Sequence, residues 1–299
     1  MTPMQRRPLL GVMILMALVG WAMGLLAREE RPPAPPAPPA LGARLDAAFV
    51  VDATGSMADE IEVVKRHVAA MMARIRSGQP APRVRFGLVA YRDHGDQFVT
   101  RVWALTDRVD QLEEALRGLS ADGGGDTPEA VAEALHAAVH ELAWDPDPAT
   151  GRLLFLVGDA EPHQDVGPDF RAEVRAARSR GLKIHALGCS GIQDSGEDEF
   201  REVAGLGGGT FEFLTYHQEV VREDGTAAHV LYQGGRAYEA SDARADWKGG
   251  AARMAEKGEA RALPGAAPAP ARAAGLENNL DRVLTEAVMD EARSRGTCY

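Results

Sequence analysis

The sequence predicts an α/β fold in which helices cover both faces of a mostly parallel, doubly wound sheet. Short apolar runs alternate with longer segments whose apolar residues recur every three or four positions, as strands and helices do in such folds. Several short runs are almost continuously apolar, which is typical of strands buried on both faces. Of the 299 residues, 45% are hydrophobic and 26% are charged, the composition of a folded globular protein.

The first elements follow residue 43. Leu45 to Val51 is a nearly continuous apolar run that predicts the first strand. A polar break containing glycine follows, and from Met57 to Ile75 the apolar residues return at helical spacing. Val84 to Ala90 predicts a second strand, and the YRDHGDQ segment predicts a hairpin turn into a third strand from Phe98 to Leu105.

The alternating series continues to residue 214. Its most apolar strand is Gly151 to Val157, which we expect near the centre of the sheet. The other predicted elements are helices at 110–119, from Pro128, at 169–180 and at 197–204, and strands at 183–187 and 210–214. Ligands of parallel sheets bind beyond the carboxyl ends of the strands, so function is expected in the loops that follow strands.

Residues 215–275 break this pattern, and we interpret them as an insertion. It contains a small hairpin at Tyr232 to Tyr238 and a flexible stretch rich in Ala and Pro from Ala262 to Ala274. Within 276–299, apolar residues at helical spacing predict a closing helix from Leu276 to about Arg293. The predicted domain therefore comprises residues 43–214 and this closing helix.

The N-terminal segment, residues 1–30, is typical of a signal or anchor helix. Leu9 to Ala27 contains no charged residue, and a helix of that length is about 28 Å long, close to the hydrocarbon thickness of a bilayer. Arg6 and Arg7 precede it, so the positive-inside rule places the rest of the chain on the exported, periplasmic or extracellular side. We expect an uncleaved anchor and a stiff Pro-rich linker at 31–42. The alternative is secretion after signal cleavage.

The charge balance and the cysteine content exclude several classes of function. Lys and Arg number 33 against 44 Asp and Glu, a formal net charge of −11. Domains that bind nucleic acid usually present a basic face, so we expect no nucleic-acid partner. Two cysteines cannot build a disulfide framework, and no Cys/His spacing indicates a structural zinc module.

Small oxygen-bearing side chains occupy three loops at one predicted edge of the sheet. Asp52, Thr54 and Ser56 follow the first strand, Thr127 follows the DGGGD loop, and Asp159 follows the strand at 151–157. Hard oxygen ligands from three loops, completed by water, suit Mg²⁺ or Mn²⁺. Only two of the five side chains carry a charge, so we expect the cation to accept a further anionic ligand.

Simpler interpretations of the same residues stay open at this point. Ser56-Met-Ala-Asp59 also matches a helix capping box, and Thr127-Pro128 matches an N-cap followed by proline at the first helical position. Asp52 alone is also consistent with a carboxylate favoured at the start of a helix. The glycines at 123–125 precede a helix, but no GK[ST] follows them to form a phosphate-binding P-loop.

The segments VVDATGSM, GGGDTPEAV and LFLVGDA together resemble the von Willebrand factor A domain and its metal-ion-dependent adhesion site (MIDAS). That pattern is D-x-S/T-x-S, then a distant Thr and a distant Asp, and it falls on Asp52, Thr54, Ser56, Thr127 and Asp159. The resemblance implies a parallel sheet with one antiparallel edge strand, wrapped by helices. It also implies metal-dependent binding of a protein partner through an Asp or Glu carboxylate, without catalysis.

The expected function is therefore a membrane-tethered, exported adhesion or scaffold module that is not an enzyme. One rival is a hydrolase that uses the same metal as a Lewis acid, with His94 or His163 as the base. It predicts a deep pocket at the metal, whereas a binding module predicts a shallow, open one. A second rival is an assembly subunit of a larger enzyme complex.

Overall fold

The main sheet contains six strands. The computed structural model describes residues 42–125, 127–242, 246–265 and 275–299. The strands are β1 (Arg44–Asp52), β2 (Arg83–Tyr91), β3 (Thr100–Thr106), β4 (Gly151–Gly158), β5 (Leu182–Gly188) and β6 (Gly208–Phe213). Their order is β3-β2-β1-β4-β5-β6, and every neighbouring pair is parallel except β2 with β3. The predicted mostly parallel sheet with one antiparallel edge strand is confirmed.

Helices cover both faces of this sheet. The helices are α1 (Ala58–Arg76), α2 (Val109–Arg117), α3 (Val131–His140), α4 (Phe170–Ser179), α5 (Asp194–Gly207), α6 (Ala251–Glu256) and α7 (Leu280–Ser294). Apolar residues of α1, α2 and α7 share one core with the sheet, and those of α3, α4 and α5 share the core on the opposite face. This is the doubly wound arrangement that the alternating pattern predicts.

The strands at the centre of the sheet are buried along almost their whole length. Every residue of β4 is buried, and in β1 only Arg44 is exposed. Phe49 stacks between Phe86 and Phe155, with ring centroids 6.4 and 5.6 Å apart. Close packing on both faces fixes the carboxyl ends of these strands, where the predicted ligands follow.

The insertion forms a second sheet, which the sequence analysis did not predict beyond one hairpin. Its strands are β7 (Tyr216–Val221), β8 (Ala227–Gln233), β9 (Arg236–Ala240), β10 (Ala260–Ala262) and β11 (Glu277–Asn278). They pair antiparallel in the order β10-β9-β8-β7-β11. The predicted hairpin is β8–β9, and it turns through Gly234 and Gly235, both at positive φ.

Two helices begin three or four residues later than predicted, and α5 extends three residues beyond each end of the predicted 197–204. The closing helix begins at Leu280 rather than Leu276, because Glu277 and Asn278 pair with β7. The helix predicted from Pro128 begins at Val131. Helix α7 still packs against α1, so it closes the domain as expected.

Some predicted segments lie outside the described residues. These are the N-terminal helix at 1–30, all of the linker at 31–42 except Gly42, and residues 266–274 of the stretch rich in Ala and Pro. Within the described part of the chain, no helix combines the length and the apolar character needed to cross a bilayer.

Candidate metal centre

The two acidic residues of the predicted site follow neighbouring strands that end at the same level. The parallel register pairs Val51 with Val157, so Asp52 ends β1 beside Gly158. A Cβ at Gly158 would lie 2.4 Å from Tyr91 Oη and 3.4 Å from the Cβ of Asp52, so only glycine leaves these side chains their places. Asp52 is fully buried, and Asp159, the residue after Gly158, is 8% exposed.

Hydrogen bonds connect four of the five predicted ligands. Asp52 Oδ1 accepts from the backbone N of Thr54 at 2.8 Å and from its hydroxyl at 2.7 Å. The Thr54 hydroxyl lies 3.2 Å from Ser56 Oγ, and the Ser56 hydroxyl donates to Asp159 Oδ1 at 3.2 Å. The carboxylates of two separate loops are thus joined through two hydroxyls, while their role as metal ligands stays a prediction.

The capping interpretations of Ser56 and Thr127 are wrong. Helix α1 begins at Ala58, and no side chain caps it or the short 3₁₀ turn before it. Helix α3 begins at Val131, so Thr127 lies outside it and not at its N-cap. The hydroxyl of Ser56 points to the neighbouring loop instead of to its own helix.

The glycine loop at 123–125 brings Thr127 to the same place. Gly55 N donates to the carbonyl oxygen of Gly123 at 3.0 Å, which ties this loop to the loop after β1. Gly124 has a φ of 62°, and a Cβ there would lie 2.9 Å from the Cβ of Thr54. Thr127 is exposed, and it lines one open pocket together with Thr54, Ser56 and Asp159.

Sequence reasoning missed Glu129, a third carboxyl group at this site. Glu129 is 3% exposed, and one of its carboxylate oxygens lies within 4.8 Å of one carboxylate oxygen each of Asp52 and Asp159. It was assigned to a helix that starts only at Val131. Its position two residues after Thr127 in the DTPEA segment is the one signal that points to it.

Burial raises the pKa of all three carboxyl groups. For Asp159, burial and then the charge of Asp52 raise the pKa to about 7. The same two causes raise the pKa of Glu129 to about 10, and burial raises that of Asp52. Like charges at this separation oppose one another's ionisation. Without a cation, Glu129 therefore keeps its proton at neutral pH.

The oxygen atoms present fit a hard divalent cation. Asp52 Oδ2 and Glu129 Oε2 are buried, and neither accepts a hydrogen bond of normal geometry from the described residues, so without a cation the proton held between the two carboxyl groups compensates them. Buried polar oxygens without partners are costly unless a proton or a cation compensates them. Carboxylate and hydroxyl oxygens are the donors that Mg²⁺ and Mn²⁺ prefer, so a metal site of the MIDAS type is suggested here.

His94 and His163 do not reach this pocket. His163 Nε2 lies 2.6 Å from Asp93 Oδ1, and His94 Nε2 lies 2.7 Å from Glu133 Oε1. Among the described residues, the pocket is lined by the loops after β1, β4 and β5 and by the glycine loop, without either histidine. The two rings are neighbours, with centroids 4.9 Å apart.

Residues 47–179 match the family model of the von Willebrand factor A domain. They form a von Willebrand factor A domain. The match starts inside β1 and ends with α4, so it contains the three loops that carry the predicted ligands. The match therefore covers the first half of the described part of the chain, and the second sheet follows it.

One curated relative is the "Putative ariadne-like RING finger protein R811" of Acanthamoeba polyphaga mimivirus. It is 35% identical over 119 residues, which are 40% of this chain and 11% of the viral protein. This chain thus matches about a tenth of that relative's length.

Solved structures with a similar fold include proximal thread matrix protein 1 from the mussel byssus, described with zinc in its own MIDAS motif. It is 19% identical with a TM-score of 0.46, covering 57% of this chain and 42% of the mussel chain. Another is the conserved hypothetical protein BatB from Bacteroides thetaiotaomicron, 18% identical with a TM-score of 0.42. That match covers 57% of this chain and 90% of BatB.

Proposed function

We propose that this chain is a membrane-tethered, exported module that binds a protein partner through a site dependent on Mg²⁺ or Mn²⁺. The observation that carries the proposal is the connected set of Asp52, Thr54, Ser56 and Asp159 in an open pocket with Thr127 at its exposed side. Asp52, Thr54, Ser56, Thr127 and Asp159 hold the cation, the last three partly through water.

The charges of the site support an anionic partner group. The two predicted carboxylate ligands, Asp52 and Asp159, supply two negative charges, which balance one divalent cation without exceeding its charge. The hydroxyl ligands add no charge, so no excess negative charge at the ligands opposes a hard, anionic oxygen at the open side of the coordination shell. An Asp or Glu side chain of a partner protein provides such an oxygen. The net charge of −11 disfavours a nucleic-acid phosphate backbone in that place.

The surroundings of the pocket support binding over hydrolysis. The pocket is open, as the binding interpretation predicts, and the two candidate bases are paired with carboxylates outside it. A general base must lie within hydrogen-bond reach of the water that it activates. We therefore propose an adhesion or scaffold role rather than catalysis.

The metal part of the proposal is tested by titration calorimetry of Mg²⁺ and of Mn²⁺ into the full chain. We expect Asp52→Ala to weaken the affinity more than about 100-fold, because it removes a buried carboxylate ligand. Asp165→Ala is the matched control, since it removes an exposed carboxylate from the loop that follows Asp159. Equal affinities for the wild type and Asp52→Ala would sink the site assignment.

The partner part is tested by binding of the wild type to immobilised envelope proteins in Mg²⁺ and in chelator. We expect capture in Mg²⁺ only, and loss of capture after the carboxylates of the captured protein are amidated. Capture that persists in chelator would contradict a metal-bridged contact.

The tether and the topology are tested on membranes of expressing cells. We expect the full chain to resist alkaline carbonate extraction, and residues after the linker to be digested by protease added from the exported side. Release by carbonate, or protection from that protease, would contradict the anchored and exported arrangement.

A further inference from the structure

A second cluster of metal-ligating side chains lies on loops next to the first site. Asp93 and His94 are in the β2–β3 loop, and His163 is in the loop between β4 and α4. One donor atom from each of these three residues lies within 4.8 Å of the others. The three side chains are 13%, 34% and 18% exposed, so the cluster is largely covered but reachable from solvent.

The separations of these donor atoms are close to those of a zinc site. Asp93 Oδ1 lies 2.6 Å from His163 Nε2 and 3.7 Å from His94 Nδ1. Ligand atoms of a tetrahedral Zn²⁺ with bonds of about 2.0 to 2.1 Å lie about 3.3 Å apart. Opening one distance by less than about 1 Å and closing the other slightly brings both pairs to this separation, and the donor atoms of the third pair, His94 and His163, already lie within 4.8 Å of each other.

Glu133 of α3 completes the arrangement behind His94. His94 Nε2 lies 2.7 Å from Glu133 Oε1, which leaves Nδ1 on the side of Asp93. Both carboxylate oxygens of Glu133 are buried, and neither accepts a hydrogen bond of normal geometry among the described residues. A histidine that ligates a metal usually donates its other ring N–H to a carboxylate, which fixes the ring. Gly167 leaves room for this group, since a Cβ there would lie 2.0 Å from Glu133 Oε1.

The neighbouring arginine does not neutralise this acidic pair. Arg92 is 3% exposed, and its guanidinium donates to the carbonyl oxygens of Ala53 at 3.1 Å and Ser120 at 2.9 Å. Asp93 and Glu133 therefore face two imidazoles, and among the described residues no lysine or arginine forms an ion pair with either carboxylate. A bound cation would supply the missing charge.

We propose that Asp93, His94 and His163 bind a borderline divalent cation of the Zn²⁺ class, with Glu133 as the positioning carboxylate for His94. Two imidazoles and one carboxylate with a fourth position open to water are a typical Zn²⁺ ligand set. Mg²⁺ prefers oxygen donors only, so this site differs in metal preference from the site at Asp52. The proposal does not depend on the proposed function.

Backbone contacts link the two sites. Asp96 Oδ2 accepts from the backbone N of Asp93 at 3.1 Å and from that of Gly124 at 2.9 Å. The backbone N of His163 donates to the carbonyl oxygen of Glu129 at 3.2 Å. A cation held by Asp93, His94 and His163 would therefore fix the loops on both sides of the segment that carries Thr127.

A third cluster provides a built-in comparison. His136 and His140 of α3 share the carboxylate of Glu173 of α4, at 3.1 and 2.9 Å. These histidine side chains are 51% and 41% exposed, and both oxygens of Glu173 are already engaged. Histidines at this spacing on a helix also attract Zn²⁺, so a test must separate the two clusters.

The experiment is competition for Zn²⁺ between the full chain and a chromophoric chelator, in excess Mg²⁺, with Co²⁺ absorption as a second readout. The Asp52→Ala background removes the oxygen site. We expect this background to keep one tightly bound Zn²⁺ and to give the intense visible bands of four-coordinate Co²⁺. Adding His163→Ala or His94→Ala should abolish both signals, while adding His140→Ala should leave them unchanged.

Glu133→Gln gives the graded result that a positioning role predicts. We expect Zn²⁺ to bind about 10-fold more weakly with the four-coordinate Co²⁺ spectrum retained. Circular dichroism and thermal unfolding of each variant without metal establish that the fold is intact, and His163→Gln replaces His163→Ala if the latter unfolds. The proposal is overturned if Asp52→Ala binds no Zn²⁺ in competition with the chelator, or if His140→Ala, and not His163→Ala, removes the bound ion.

Discussion

The two sheets of this protein are built on different principles. In the parallel sheet, helices cover both faces, and the central strands β1 and β4 are buried almost throughout. In the antiparallel sheet, buried and half-exposed residues mix along β7 and β8, and a small apolar core forms with α6. The candidate metal ligands lie at the end of β1 or in loops of the domain that contains the parallel sheet, whose central strands are packed on both faces. The ligands of a metal site must be held in fixed positions, and packing on both faces of the parallel sheet provides this.

The largest effect we expect distinguishes the cores of the two sheets. Phe155→Ala in β4 should lower the free energy of unfolding by about 4 kcal/mol, because it leaves a cavity between Phe49 and His185. Val230→Ala in β8, where the side chain is half-buried, should cost less than about 1 kcal/mol. Urea unfolding measures both changes. Similar costs for the two variants would contradict the difference in construction.

This difference also explains what the sequence could predict. The continuous apolar runs of β1, β2 and β4 are typical of strands in a doubly covered sheet, and their predicted bounds differ from the observed ones by at most one residue at each end. Strands such as YHQEVV and AAHVLYQ in the second sheet are short and half polar. Their apolar residues therefore follow neither the two-residue period of a strand nor the 3.6-residue period of a helix clearly. Pairing between β11 and β7 bridges about 60 residues, and no local pattern encodes such a contact.

The second prediction concerns Mg²⁺, which should stabilise the parallel sheet locally. At 100 times its dissociation constant, Mg²⁺ should raise the free energy of unfolding by about 2.7 kcal/mol. Hydrogen exchange should slow in the loops at 52–56, 122–127 and 159–163, since these are the segments that the cation joins. Exchange in strands β7 to β9 should not change. Equal protection in both sheets would mean that the cation acts on the whole unit rather than on these loops.

The third prediction is a pH dependence of the protein without metal. The pKa of Asp159 is raised to about 7 in the folded protein. The folded state therefore binds this proton more tightly than the unfolded state, and the resulting stabilisation is complete at pH values below the ordinary pKa of an aspartate, near 4. That contribution is lost as the pH rises through about 7. From pH 5 to pH 8 in chelator, we expect a loss on the order of 2 kcal/mol from this group. Thermal unfolding across this range measures it.

Asp159→Asn separates this group from its neighbours. The variant should lose the part of the pH dependence that Asp159 contributes, and the larger part that remains between pH 5 and pH 8 comes from Glu129, whose pKa is about 10. Excess Mg²⁺ should reverse the wild-type trend, because the cation binds the ionised carboxylates. A wild-type profile in chelator that rises between pH 5 and pH 8 would be inconsistent with these raised pKa values.

The site itself was predictable only in part, for a reason visible in Glu129. The D-x-T-x-S segment and Asp159 stand at or directly after the ends of strands, which are predictable, whereas Thr127 lies in the loop between α2 and α3. Glu129 precedes α3 by two residues and pairs its backbone N with the carbonyl oxygen of Glu161 at 2.9 Å. That contact depends on where two loops meet, so the sequence around DTPEA predicts helix instead.

The smallest expected effect tests whether the second sheet influences the metal site. Tyr216 Oη in β7 donates to Glu60 Oε1 in α1 at 3.3 Å, and the charge of Glu60 is among the causes that raise the pKa of Asp159. Tyr216→Phe should cost about 1 kcal/mol of stability, because a buried carboxylate loses its donor. Tyr232→Phe is the matched control, since its hydroxyl bonds Gln218 within the second sheet.

If the two sheets are independent in function, the Mg²⁺ affinity of Tyr216→Phe should equal that of Tyr232→Phe within about twofold, which is less than 0.5 kcal/mol. Calorimetric titration of both variants beside the wild type decides this. A larger loss in Tyr216→Phe alone would mean that Glu60 transmits the state of the insertion to Asp159. In that case the antiparallel sheet would be a regulatory element of the metal site rather than an addition to the domain.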